Sequence, residues 1–168
     1  TRATLTSQRP KAFHSHDFFE AFWVQNGRVR HHTPDGITTL CEGDLCILQP
    51  GQKHALQGRG EHALVVSLCI HPATITALAD RHPDLNGHLF WADTPLVQHH
   101  RDIRQLATLN HAAVALERSN RSALQAEAFL LPLCAEITAE KGPTSAPGWL
   151  NDACQAAKDP DVFRGGAA

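Results

Sequence analysis

The sequence predicts a mainly β domain, a barrel or sandwich, with helices at its C-terminal end. Three observations carry that expectation. Short apolar and β-prone stretches from Lys11 to Ile70 are punctuated by Asn26-Gly27, Pro34-Asp35-Gly36, Glu42-Gly43-Asp44 and Pro50-Gly51, all turn signals. From Leu96 onward the apolar spacing lengthens to that of a helix. A final stretch, Gly142 to Gly148, has the composition of a linker.

The elements come in this order along the chain. Phe13 to Gln25 is aromatic-rich and reads as a strand, with Asn26-Gly27 as the hairpin turn that returns it into Arg28 to Thr33. Ile37 to Cys41 and Leu45 to Leu48 are further strands, and Glu61 to Ile70 is a longer one ended by His71-Pro72. Pro72 to Arg81 suits a short helix, because proline is tolerated in a first turn. Pro83 to Gly87 reads as a turn and His88 to Ala92 as one more edge strand. Leu96, Ile103, Leu106, Ala107, Ala113, Val114 and Leu116 then mark the stripe of a helix from Leu96 to Leu116. After a break at Arg118 to Ser122, a second helix runs from Leu124 to Ile137 with a kink expected at Pro132. The two helices are expected to form an antiparallel hairpin. Domain limits fall at residues 1–92 for the barrel, 93–142 for the helix pair and 143–168 for the linker and the start of a further helical segment.

Composition narrows the function. Lys and Arg number 15 against 17 Asp and Glu, so no basic surface for nucleic acid is supplied by this segment. Apolar runs are too short for a membrane span. The five cysteines have no CxxC spacing and read as thiols of a reduced, cytoplasmic protein. Methionine is absent, and the chain is expected to be part of a longer protein.

Chemistry concentrates in His14-Ser15-His16-Asp17-Phe18-Phe19-Glu20. On a strand, His14, His16, Phe18, Glu20 and Phe22 share one face. A carboxylate among phenylalanines is costly to bury unless a cation meets it. A divalent metal meets that need, drawing imidazole nitrogens and a carboxylate oxygen to about 2.0–2.2 Å. A fourth ligand, His54, comes after the Pro50-Gly51 turn and can return over the same face. Mixed nitrogen and oxygen ligands suit zinc, nickel, iron, manganese or cobalt. Phe18 and Phe22 flank the site and are the candidate ligand-contact residues. The adjacent pairs His31-His32 and His99-His100 are expected to be solvent-exposed, and His62, His71, His82, His88 and His111 have no partner at metal spacing.

These residues resemble the cupin family. His-x-His-x3-Glu-x6-Gly fits His14, His16, Glu20 and Gly27, and Gly-x5-Pro-x-Gly-x2-His fits Gly43, Gly51 and His54. The departures are Gln49 at the proline position, with Pro50 one place later, and Gly58 where asparagine is usual. The resemblance implies a double-stranded β-helix, or jelly-roll, barrel followed by the helix hairpin. A barrel, a helix pair, a linker and then Pro147-Gly148-Trp149-Leu150 with Asp159-Pro160-x2-Phe163 are similar to the N-terminal part of AraC-type transcriptional regulators, running into the start of their helix-turn-helix DNA-binding domain. Within them the nearest likeness is to the chitooligosaccharide-operon subgroup.

That resemblance implies a sensor. A small polar, sugar-like effector would enter the barrel beside the metal, the helix hairpin would form a homodimer, and DNA would be bound only by a further C-terminal domain. The competing class is a metal-dependent cupin enzyme, a dioxygenase, isomerase or decarboxylase.

Overall fold

The computed structural model describes residues 1–139. Six strands, β1 (Arg2–Leu5), β2 (Phe19–Thr33), β3 (Gly36–Cys41), β4 (Asp44–Leu48), β5 (Ala55–Ile70) and β6 (Leu96–His100), are followed or interrupted by helices α1 (Pro72–Arg81), α2 (Ile103–Arg118) and α3 (Ala123–Ala139). All strand pairs are antiparallel, in the order β1-β5-β2-β4-β6, with β3 paired to the far half of β2. All six strands lie in one compact unit, Thr1–Cys134.

The long strands β2 and β5 set the architecture. The first half of β2 pairs with β4 and the second half with β3, while β5 runs beside both. Phe22 and Val24 from the first half, Val29 from the second, and Leu40, Cys46, Leu48, Ala63 and Val65 from the neighbours all pack into one buried cluster. Side chains from both halves of one strand can meet there only if the sheet rolls over on itself. Each large apolar side chain sealed inside contributes about 1.5–3 kcal/mol.

The roll is produced where the sequence predicts a hairpin turn. Asn26-Gly27 does not end β2; the register shifts twice between Val24 and Arg28, and the strand continues. Gly27 has φ 79°, and a Cβ there would sit 3.2 Å from the Ala63 Cα of β5. Opposite it, β5 has its own irregularity at Gly60 (φ 85°) and His62 (φ 67°), where Asn26 Nδ2 donates to the His62 carbonyl at 2.8 Å. Facing bulges increase local twist and bend both strands together. The hairpin turn comes at Pro34-Asp35 instead, between the paired Thr33 and Gly36.

The bulge also swaps parity. Before it the even residues Glu20, Phe22 and Val24 face inward; after it the odd residues Val29 and His31 do. His31 is therefore inside, and His32, on the opposite face, is buried as well, both against the expectation of exposure. His31 lies inside against Phe22, with ring centroids 5.3 Å apart. His32 donates through Nε2 to Gln57 Oε1 at 2.9 Å, and Gln57 Nε2 donates to the Ser7 carbonyl at 2.7 Å.

Three further elements differ from expectation. β1 has too few apolar residues to announce itself and is held by pairing with β5. Leu89–Trp91 is a short 3-10 turn rather than an edge strand, because Phe90 is buried and Trp91 Nε1 donates to the Ile75 carbonyl of α1 at 3.1 Å. Leu96–His100 is a strand paired with β4, not the start of the helix, so the sheet extends past residue 92. Asp102 caps α2 by accepting from the Arg104 and Gln105 amides while the Gln105 side chain accepts from the Asp102 amide, a capping box that fixes where α2 begins. Pro132 lies inside α3 without ending it. Expectations for residues 143–168 lie outside the described residues.

The outer face of the sheet is covered by helices. Trp23 points away from Phe22, donates through Nε1 to Asn110 Oδ1 of α2 at 2.9 Å, and stacks on Phe129 of α3 at 6.4 Å between centroids. Cys41, Cys46 and Cys134 are buried and Cys69 is exposed, all as thiols. Burial pushes the Cys46 thiol far up, with Asp44 adding to it, and raises Cys134 to about 11. Among the cysteines of the described residues, a maleimide is expected to label Cys69 first under native conditions, and Cys69→Ser to remove that reaction. Equally fast labelling of Cys46 would contradict the buried position of β4.

Candidate metal centre

The first motif segment reaches the second through the backbone. His14 and His54 form an isolated antiparallel bridge, each amide donating to the other's carbonyl at 2.9 Å, and the Gly51 amide donates to the His16 carbonyl at 2.8 Å. Directly paired residues share a face, and the His14 and His54 rings lie 4.3 Å apart. Glu20 is one residue into β2, paired with Leu48 and Cys69 on either side. The lead-in to β2 and the lead-in to β5 thus converge at one open end of the rolled sheet.

Three of the four predicted ligands gather tightly. One nitrogen each of His16 and His54 and one oxygen of Glu20 lie within 4.8 Å of one another. His16 Nε2 is 2.9 Å and His54 Nε2 is 3.3 Å from Glu20 Oε2. His14 stands beside this group, exposed, with its ring 6.3 Å from that of His16. Phe18 is half-buried and stacked on His16 at 4.0 Å and 3°, whereas Phe22 is fully buried and forms the floor, 6.1 Å from the His54 ring.

Protonation states follow from the partners. His16 Nδ1 lies 2.9 Å from the Phe18 carbonyl, which can only accept, so Nδ1 carries the proton. A neutral ring then presents a lone pair at Nε2 toward the carboxylate. Two electron-rich atoms 2.9 Å apart need a cation between or upon them, either a proton or a metal ion. His54 is 1% exposed, and neither of its ring nitrogens has a hydrogen-bond partner; its approach to Glu20 is close but not along an N–H direction. Burial alone would raise the Glu20 carboxyl, but His54, Ser67 and His16 outweigh it and hold it at about 2. Ser67 Oγ donates to Glu20 Oε1, fixing the carboxylate from the side away from the histidines.

The donor set fits a divalent metal. With bonds of about 2.0–2.1 Å, ligand atoms in tetrahedral or octahedral sites stand roughly 2.9–3.4 Å apart. The two carboxylate-to-imidazole separations, 2.9 and 3.3 Å, fall in that range.

Two residues escaped the sequence reading. Ser67 faces inward opposite Phe22, a position visible only once the β2–β5 register is known. His31 is 1% exposed, with its ring 5.5 Å from His54 and its Nε2 lacking a hydrogen-bond partner. Burial first, then His54, pushes it down to about 4, so it is a neutral imidazole inside the barrel. Its signal was the phase slip from even to odd apolar positions between Val24 and Val29.

The family model described as the AraC-like ligand binding domain matches residues 2–133. No curated protein matches the chain. Among solved structures, an apo variant of ToxT from Vibrio cholerae superposes with a TM-score of 0.63 at 17% identity, over 82% of this chain and 54% of that one. A second ToxT structure from Vibrio cholerae gives 0.56 at 12% identity, over 95% and 65%. A third, with bound unsaturated fatty acid, gives 0.50 at 20%, over 82% and 50%. The chain thus spans between half and two thirds of these structures, and the likeness is one of fold: a cupin-like, jelly-roll barrel with C-terminal helices. Among the described residues, no helix is long and apolar enough to cross a membrane.

Proposed function

Because the chain belongs to the AraC-like ligand-binding domain family, effector sensors rather than enzymes, we propose that it is the sensing domain of a transcriptional regulator whose barrel mouth holds a divalent metal on His16, Glu20 and His54. The observation that carries this reading is the placement of His16 Nε2 2.9 Å from the Glu20 carboxylate while the Nδ1 of the same ring donates to the Phe18 carbonyl, an arrangement that calls for a cation between the two atoms. A bound metal supplies Lewis acidity, a place for ligand oxygens to attach. The protein does the rest. Glu20 brings the neutralising charge, Ser67 orients it, Phe18 packs against His16 to fix its ring plane, and Phe22 closes the floor. His14, exposed beside His54, is placed to contribute a fourth nitrogen or to contact the effector.

The effector in this reading is a small, polar, oxygen-rich molecule, sugar-like by resemblance to the chitooligosaccharide-operon subgroup. It acts by differing in affinity for two arrangements of the helices. The path is short: Glu20 and Phe22 face inward while Trp23, next along β2, touches both α2 and α3. Ile103 and Leu124, 82% and 72% exposed on those helices, support homodimerisation through them. DNA contact belongs to a further domain, and the reduced thiols suit the cytoplasm.

Elemental analysis of the purified protein beside His16→Ala tests the centre. Stoichiometric zinc, nickel, iron, manganese or cobalt is expected in the parent and a large loss in the variant. Equal metal in both removes His16 from the site.

A further inference from the structure

Two buried imidazoles meet inside the barrel with nitrogens left unmatched. In the β2–β5 register His31 pairs with Leu56, and His54 lies two residues before Leu56, so the two histidines are diagonal neighbours on one face. Both are 1% exposed, and their rings stand 5.5 Å apart at 85°. Phe22 packs against each, 5.3 Å from the His31 ring and 6.1 Å from the His54 ring. Among the described residues, His31 Nε2 and both nitrogens of His54 have no hydrogen-bond partner. A buried polar atom without a partner is costly, and here three are held close together among apolar side chains.

The two nitrogens of His54 have different tasks. Nε2 lies 3.3 Å from Glu20 Oε2, on the side of the other ligands. A nitrogen that takes a metal must be bare, so the proton of the neutral ring sits on Nδ1, at another edge of the ring. There it is a buried N–H in need of an acceptor. Metal-bound histidines generally give this second proton to a carboxylate, a carbonyl or water, and among the described residues no carboxylate or carbonyl takes it here. His31 is the neighbour that can. A neutral imidazole with its proton on Nδ1 offers Nε2 as an acceptor. His32, by contrast, is already engaged with Gln57.

Given the metal centre proposed above, we infer that His31 is a positioning residue for it. Its Nε2 accepts the Nδ1 proton of His54, directly or across one bridging water, and so holds His54 with Nε2 toward the metal. The contact ties the ion to both halves of β2. Glu20 reaches it from the first half and His31, behind His54, from the second, so occupancy draws together the halves that the bulge at Asn26-Gly27 folds over each other.

Zinc affinity of the full chain, measured by chelator competition for the parent, His31→Phe and His31→Gln, tests this role. Phenylalanine keeps the ring shape and removes the acceptor, whereas glutamine gives up the shape and keeps an acceptor oxygen. His31→Phe is expected to bind zinc at least about tenfold more weakly, and His31→Gln to recover most of that loss. Metal-free stability is expected to run the other way, with His31→Phe melting in chelator no lower than the parent, because carbon has replaced an unmatched buried nitrogen. Isotopic labelling of the histidine nitrogens should show, in the zinc-loaded parent, a slowly exchanging His54 Nδ1 proton that is lost in His31→Phe. Should His31→Phe not fold, His31→Leu takes its place. Zinc affinity in the acceptor-free variant equal to the parent's, or better than in His31→Gln, overturns the role of His31 and leaves the metal centre standing. An unchanged His54 proton does the same. A parent that binds no zinc or other divalent metal overturns the centre itself, and the role of His31 with it.

Discussion

Glu20→Gln is expected to weaken metal binding by about 100-fold or more while leaving the metal-free fold close to its parent in stability. The substitution keeps shape and changes one property, charge. An amide oxygen still accepts from Ser67 Oγ, and the amide nitrogen can donate to the lone pair that His16 presents at Nε2. The metal-free variant therefore gains a satisfied neutral pair in place of two electron-rich atoms 2.9 Å apart. What it loses is the only anionic ligand of the proposed ion, in a pocket where His16 and His54 supply neutral donors. Competition against a chromophoric zinc chelator measures the first effect and thermal melting in chelator the second. Retained affinity would show that the carboxylate serves the histidines as a hydrogen-bond partner and not a metal.

The same residues show how far a sequence can be read. His16, Glu20 and His54 were legible because their spacing and the Pro50-Gly51 turn are local features, and local features survive folding. His14 was read on the same strand face, but β2 begins at Phe19, so the bridge to His54, rather than strand parity, brings it near. Asn26-Gly27 misled for a tertiary reason. A glycine at positive φ serves a turn or a bulge equally well, and the choice was made by Ala63 and His62 on a strand more than thirty residues away. Because the bulge inverts parity, the misreading propagated: His31, assigned to a solvated hairpin arm, belongs inside the barrel beside His54. Leu96–His100 failed differently. Its apolar pair Leu96 and Val97 fits a strand or a helix, and Asp102-x-x-Gln105, a start signal present in the sequence, was the feature that separated the two.

Gly43→Ala is expected to be among the most damaging small substitutions in the domain, costing about 3 kcal/mol or more. Gly43 has φ 91°, which alone costs an alanine about 1–2 kcal/mol. Its backbone is also fully engaged: its amide donates to the Val24 carbonyl at 3.0 Å and its carbonyl accepts from the Arg101 amide at 2.8 Å. A Cβ at this position would overlap the backbone carbonyl oxygen of Arg101, just past the end of β6, which cannot withdraw without disturbing the bond from the Arg101 amide to Gly43, and would also press on the His100 ring at 3.0 Å. The damage should reach the proposed metal site, because β6 pairs with β4 along its whole length and Leu48 of β4 sits directly opposite Glu20. Gly51→Ala is the internal control. Gly51 has φ 83° but nothing within 4 Å of an added Cβ, so it isolates the backbone cost from the collision. For a domain of this size, the difference between the two variants should appear as a melting temperature lower in Gly43→Ala by roughly 4–8 °C. Equal melting temperatures would mean that β6 yields freely, and that the edge of the sheet beside the site is far softer than its pairing with β4 implies.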